Sequence, residues 1–228
     1  MKIPKRAAFL ISLTAIIVYW LYVIIFTSSN TPLLPSSLNE ILLSIIKTKI
    51  IFVIAVVVLL WLEGDRITDL GFRKQKLLIQ IIFGISFGFV TWILLNVLLN
   101  PLMAAVNPQA IKPPNEILNY MKDAGSLYLW IPVVTLAAFS EELQRIFVLT
   151  RFEKWFGKYG LYIAILITSV IFGIGHLYQG INIAIGTGIG GLFNSFVYLR
   201  KRSALEVIIC HAVFNILSVA GAYLLNNK

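Results

Sequence analysis

Apolar residues run along this chain in seven long blocks, near residues 7–26, 43–62, 78–100, 128–149, 160–177, 181–199 and 205–225. A helix needs about 20 mostly apolar residues to cross the hydrocarbon core of a bilayer. The pattern therefore predicts an all-α, polytopic membrane helix bundle of seven spans, or at most eight. The second block carries Lys47 and Lys49 near its start, where long basic side chains can snorkel to the interface. An interfacial helix over residues 37–48 is the alternative there. The third block could extend beyond Pro101, which would kink or end it. The polar stretches 27–41 and 104–127, the latter with Pro108, Pro113 and Pro114, read as loops.

Composition agrees with lipid as the solvent. Of the 228 residues, 59% are apolar and 13% charged, against about 45–50% and about 25% in soluble domains. Mean hydropathy is +0.88. One transmembrane domain over residues 1–228 is expected, with no separate soluble domain. The basic start Met1 to Arg6 leads into a 20-residue apolar run. That is longer than the roughly 7–15 residues of a signal-peptide core, so it reads as a retained first span.

The net charge of +9 is a matter of loops. With the N-terminus inside, the cytoplasmic segments hold 13 of the 19 basic residues and the outer segments hold Lys112, Lys122 and Lys228. That bias predicts a cytoplasmic N-terminus and anionic lipid as the neighbour. The basic residues form no patch interleaved with aromatics, so nucleic acid is set aside. Cys210 is the single cysteine; it allows no intramolecular disulfide and reads as a small buried hydrophobe.

The polar residues inside the apolar blocks carry the chemistry. A charge at mid-membrane costs about 2.5–3.5 kcal/mol on insertion scales. The fourth block nevertheless contains Ser140-Glu141-Glu142-Leu143-Gln144-Arg145. Arg145 can pair with either carboxylate by helical spacing, but not neutralise both. The chain's two histidines also fall in apolar blocks, as Phe172-Gly-Ile-Gly-His176 and His211-Ala-Val-Phe-Asn215. Peptide hydrolysis needs an activated water, a stabilised oxyanion and a proton for the leaving amine. A carboxylate can take the proton from water. Two imidazoles can hold a metal or donate hydrogen bonds. A Glu–His–His set is one of the ligand sets of catalytic zinc. An Asn amide can orient water, donate to an oxyanion or complete a metal shell. Ser140 adjoins the acids without an identifiable base.

These three motifs, in this order, resemble the CAAX-protease and bacteriocin-processing (Abi) family, which includes the Ras-converting endopeptidases. Asp69-Leu-Gly-Phe-Arg73 looks like its upstream Leu-Gly segment, so the resemblance spans roughly residues 66–216, with the catalytic motifs within 128–216. It implies a multi-pass protein of a bacterial-type plasma membrane that cleaves a peptide or membrane-anchored protein substrate. Glu141 would be the general base. His176 would assist or bind metal. His211 and Asn215 would stabilise the oxyanion or complete a metal site. Glu142, Arg145 and Phe172 would support them. Both metal-bound and glutamate-activated water are compatible with the motifs; the name metalloprotease attached to the family favours zinc on Glu141, His176 and His211. In this sequence the arginine comes one residue early, which turns it by about 100° around the helix. That departure favours the alternative of a non-catalytic membrane scaffold, regulator or bacteriocin-immunity protein of the same fold.

Depth offers a further expectation. Glu141 would lie about 12–15 Å from a span end near 150, His211 about 10–12 Å from one near 204, and His176 about 24 Å from a start at Gly160.

Overall fold

A computed structural model describes residues 4–29, 38–106 and 123–226. The described residues are helical with no strand. The helices are α1 (Lys5–Ser29), α2 (Leu38–Glu63), α3 (Leu77–Trp92), α4 (Asn100–Val106), α5 (Ala124–Ile174), α6 (Ile181–Lys201) and α7 (Ala204–Asn226). Six helical segments are long and apolar enough to cross a membrane, α3 and α4 counting as one. The expected loops 27–41 and 104–127 fall in large part outside the described residues, as do Lys112, Lys122 and Lys228.

The six helices accommodate seven apolar blocks because α5, of 51 residues, holds two of them. A straight helix of that length would reach about 77 Å, far beyond the membrane's hydrocarbon core of about 30 Å. Gly157 breaks it, with φ 65° and ψ −158°, a conformation essentially restricted to glycine. A Cβ at Gly160 would lie 2.5 Å from the Phe152 carbonyl oxygen. Eight residues of straight helix would separate these positions by about 12 Å, so the chain doubles back here. The first limb is therefore longer than the expected 128–149 block.

The helix bounds decide two other points. Residues 38–63 form one continuous helix, so there is no separate interfacial helix ending near 48. The third span passes Pro101 and runs to Val106, through a π-helical stretch at Ile93–Leu99. The Asn100 N–H bonds Leu95 O, five residues back. This wider turn loosens the ladder just where proline lacks a donor.

Polarity is arranged inside out. Leu78, Trp61 and Ile51 are among the exposed large apolar side chains, while Ser140, Glu142, Arg145, Asn194 and His211 are buried. Apolar atoms can face lipid freely, whereas polar groups must find partners inside the protein. The core forms around α5, with Leu143, Ile146, Phe147 and Leu149 packed against Val197 and Tyr198 of α6 and Val207 and Ile208 of α7.

One end of the bundle gathers the polar connections. Phe9 of α1 meets Trp155 edge-on at 4.8 Å between centroids. Arg151 binds Glu63 at 2.8 Å and also Asp65. Arg202 makes two bonds to Glu153, at 2.6 and 2.8 Å. Burial alone would raise the Asp65 pKa, but hydrogen bonds from Lys154 and Arg151 hold it below the ordinary carboxylate value. Leu70 and Gly71 dock here too: Leu70 is fully buried, and Gly71 (φ 93°) accepts at its carbonyl from Ala204 N–H at 3.2 Å.

Close glycine packing sets α7 against α3. A Cβ at Gly88 would lie 2.6 Å from the Val213 Cβ, and one at Gly84 2.7 Å from that of Ile209. Gly88→Leu is therefore expected to destabilise the protein by about 1–3 kcal/mol through overpacking. It should also lower any activity, because Val213 lies between His211 and Asn215. A thermal melt in detergent equal to wild type would refute this close packing.

Candidate active site

The Gly157 hairpin explains how residues far apart in sequence meet. Glu141 precedes the turn by 16 residues, about 24 Å of helix, and His176 follows it by 19, about 28 Å. Measured from their common turn, the two are nearly level. The expected mismatch in depth came from ending the first limb near 150, six residues too early. Arg145 on the first limb stacks over the Phe172 ring on the second, 4.4 Å from its centroid.

Glu142 is the buried hub. It has no exposed surface. Its Oε1 accepts from Asn194 Nδ2 at 2.8 Å and lies 2.8 Å from His211 Nδ1. Arg145 Nη1 lies 3.6 Å from the same oxygen and donates to Gly191 O at 2.9 Å. The early arginine thus still reaches the second glutamate, by the i,i+3 route. A Cβ at Gly191 would stand 3.3 Å from Arg145 Nη1, so the small residue makes room for the guanidinium.

Glu141 faces a different way. Its Oε1 accepts from Lys49 Nζ at 2.5 Å. Its Oε2 is 3.7 Å from His211 Nε2. His211 therefore stands between the two glutamates, one at each ring nitrogen. With the Glu142 carboxylate as acceptor, His211 Nδ1 carries a proton, and its Nε2 faces Glu141.

His176 terminates the second limb and precedes the short 3₁₀ turn Leu177–Gln179. Its Nδ1 lies 2.7 Å from Phe172 O, the helical partner four residues back. The Phe172 ring packs on both histidines, at 4.8 Å from His176 and 5.7 Å from His211. Glu141, Arg145, Phe172, His176 and Lys49 all line one cavity of about 710 Å³, walled by α1, α2 and both limbs of α5. Tyr19, Tyr22, Gln144, Thr168 and Tyr178 add to its polar lining. Apart from these groups, its walls are largely aliphatic and aromatic.

Asn215 is placed elsewhere. Its Nδ2 donates to Val134 O at 3.3 Å, which ties α7 to the start of α5. Ser140 accepts from Gln144 Nε2 at 3.1 Å and donates to Lys49 O at 3.3 Å, with no base beside it. Cys210 is fully buried, 3.6 Å from Thr91 Oγ1 and from Asn194 Oδ1. Arg151 is committed to the polar end of the bundle.

Two site residues escaped the sequence reading. Lys49 was expected at the interface but lies midway along α2, paired with Glu141. Asn194 was passed over on α6. Each carried the same signal as the histidines: a polar group in an apolar block must have a partner.

The donor set does not fit a zinc ion. Among the described residues, no group of three or more His, Cys, Asp or Glu side chains is arranged to hold a metal ion. The Lys49 ammonium also holds the position beside Glu141 that a cation would take.

Residues 123–217 match the family described as type II CAAX prenyl endopeptidase Rce1-like. No curated protein and no solved structure matches the chain.

Proposed function

We propose that this chain, which belongs over residues 123–217 to the Rce1-like CAAX-endopeptidase family, is an intramembrane endopeptidase that hydrolyses its substrate with a glutamate-activated water. The observation that carries the reading is the 3.7 Å gap between Glu141 Oε2 and His211 Nε2. Those atoms are too far apart to bond each other, yet one water oxygen can lie about 2.8 Å from both. Glu141 takes a proton from that water, and the oxygen attacks the scissile carbonyl. The proton then passes from Glu141 to the departing amine.

The other residues act through this pair. Glu142 orients His211 and fixes its tautomer, as a carboxylate does for histidine in other hydrolases. Arg145 and Asn194 hold Glu142. His176 lines the cavity with its Nε2 edge unspent, positioned to bond the substrate. Asn215 braces α7. No step here is routed through a metal. The cytoplasmic N-terminus expected from the loop charges places the polar end, with Glu63, Arg151 and Arg202, on the cytoplasmic side.

The test is cleavage by the purified protein in lipid nanodiscs, on a farnesylated peptide ending in a CAAX sequence and on the same peptide without the lipid. We expect cleavage that survives 1,10-phenanthroline. His211→Gln should reduce kcat by about 10²–10⁴-fold. Inhibition by the chelator with restoration by zinc would replace this mechanism with a metal one. An unchanged phenotype in variants of Glu141, His176 and His211 would favour the non-catalytic scaffold.

A further inference from the structure

Lys49 lies outside the matched segment 123–217, and no motif in the sequence pointed to it. Its ammonium is nonetheless the nearest partner of the proposed base, 2.5 Å from Glu141 Oε1. Both side chains are mostly buried, at 19% and 17% exposure, and both line the cavity. Ion pairs are rare at such a position, and a lone charge on either side would be severely penalised.

Two nearby side-chain donors on the cavity wall are committed. Arg145 Nη1 is held by Gly191 O, and Gln144 Nε2 by Ser140. The Asn215 amide is turned to Val134 O. An ammonium has three N–H donors; Glu141 is the one hydrogen-bond acceptor the Lys49 ammonium has among the described residues.

We propose that Lys49 is a catalytic residue: it is the counter-cation of Glu141 at rest and the donor to the oxyanion during hydrolysis. The charge flow is balanced. Water gives a proton to Glu141, which becomes neutral, and its oxygen bonds the carbonyl carbon. The negative charge thereby moves from Glu141 to the former carbonyl oxygen, within reach of the same ammonium. Collapse of the intermediate breaks the C–N bond. The Glu141 proton passes to the amine nitrogen, and the Lys49–Glu141 pair re-forms. A fixed cation that serves both ends of this transfer needs little reorganisation. This role rests on the endopeptidase reading above.

The experiment uses the full chain in nanodiscs and the farnesylated CAAX peptide, comparing wild type, Glu141→Gln, Lys49→Met, Lys49→Arg and Lys49→Ala. Lys49→Met should lower kcat by about 10²–10³-fold, the loss seen on removing one oxyanion donor, with KM within about threefold. Lys49→Arg should recover a substantial part, and methylammonium should partly rescue Lys49→Ala. Melting temperatures identify any variant that fails to fold, and rescue of Lys49→Ala then decides. Lys49→Met retaining wild-type kcat while Glu141→Gln is inactive would overturn the role of Lys49 alone. No cleavage by wild type would overturn the endopeptidase reading itself, and equal cleavage by wild type and Glu141→Gln would overturn Glu141 as the base; this role falls with either. Losses confined to KM, or no rescue by either arginine or methylammonium, would make Lys49 a packing residue.

Discussion

Glu141→Gln is expected to abolish peptide cleavage while the protein still inserts and folds. The amide keeps the shape of the carboxylate but cannot accept a proton from water. General-base catalysis contributes about 10²–10⁴-fold, and the substitution also removes the charge that pairs with Lys49, so a loss near the upper end is expected. Substrate affinity should change little, because Glu141 acts on the water rather than on the peptide. The check is kcat and KM measured separately in nanodiscs. Undiminished kcat would mean that another group activates the water. His211 is the first alternative, since its Nε2 faces the same gap.

Glu142→Ala is expected to give the largest loss of stability. That carboxylate is fully buried and joins His211, Asn194 and Arg145 from three helices. Removing it strands a buried guanidinium beside an unpaired imidazole and amide. Breaking one side of a buried charge pair costs about 3–5 kcal/mol. A strongly lowered melting temperature is expected, with activity lost even at low temperature, because His211 loses the partner that fixes its tautomer. Glu142→Gln keeps one acceptor oxygen and should fall between the two. A Glu142→Ala protein that melts like wild type would show that the hub does not hold the helices together. The contrast with Glu141 is informative. Adjacent glutamates on one helix point about 100° apart, so one reaches the cavity and the other the packed interface of α5, α6 and α7.

The helix count was legible because the bilayer imposes one length on every span. Boundaries were less legible where a helix continues past its apolar stretch. Arg151 and Lys154 made the fourth block look finished near 150, yet the helix runs on to Gly157 because these side chains find Glu63 at the end of α2 and Asp65 just beyond it. That extension is what brings His176 level with Glu141. At Pro101 the sequence allowed the third span to continue, and it does so through a π-helical turn just before the proline.

The candidate site was legible in its members more than in their roles. Glu141, Glu142, His176 and His211 stood out because an ionisable group in an apolar block is costly. Spacing within one helix also placed Phe172 against His176 and Arg145 within reach of either glutamate. It could not show that Asn215, four residues after His211, turns to Val134, since that depends on where α5 lies beside α7.

The chain by itself determined a multi-pass helical membrane protein with buried acids and histidines, because hydrophobic length and the penalty for charge in lipid are properties of local sequence. Only the tertiary structure decided which glutamate meets which partner. Lys49 reaches Glu141 across 92 positions of chain, and Asn194 reaches Glu142 across 52. Such pairings are set by helix rotation and by close approach at glycines, and these follow from how the surfaces of all the helices pack together.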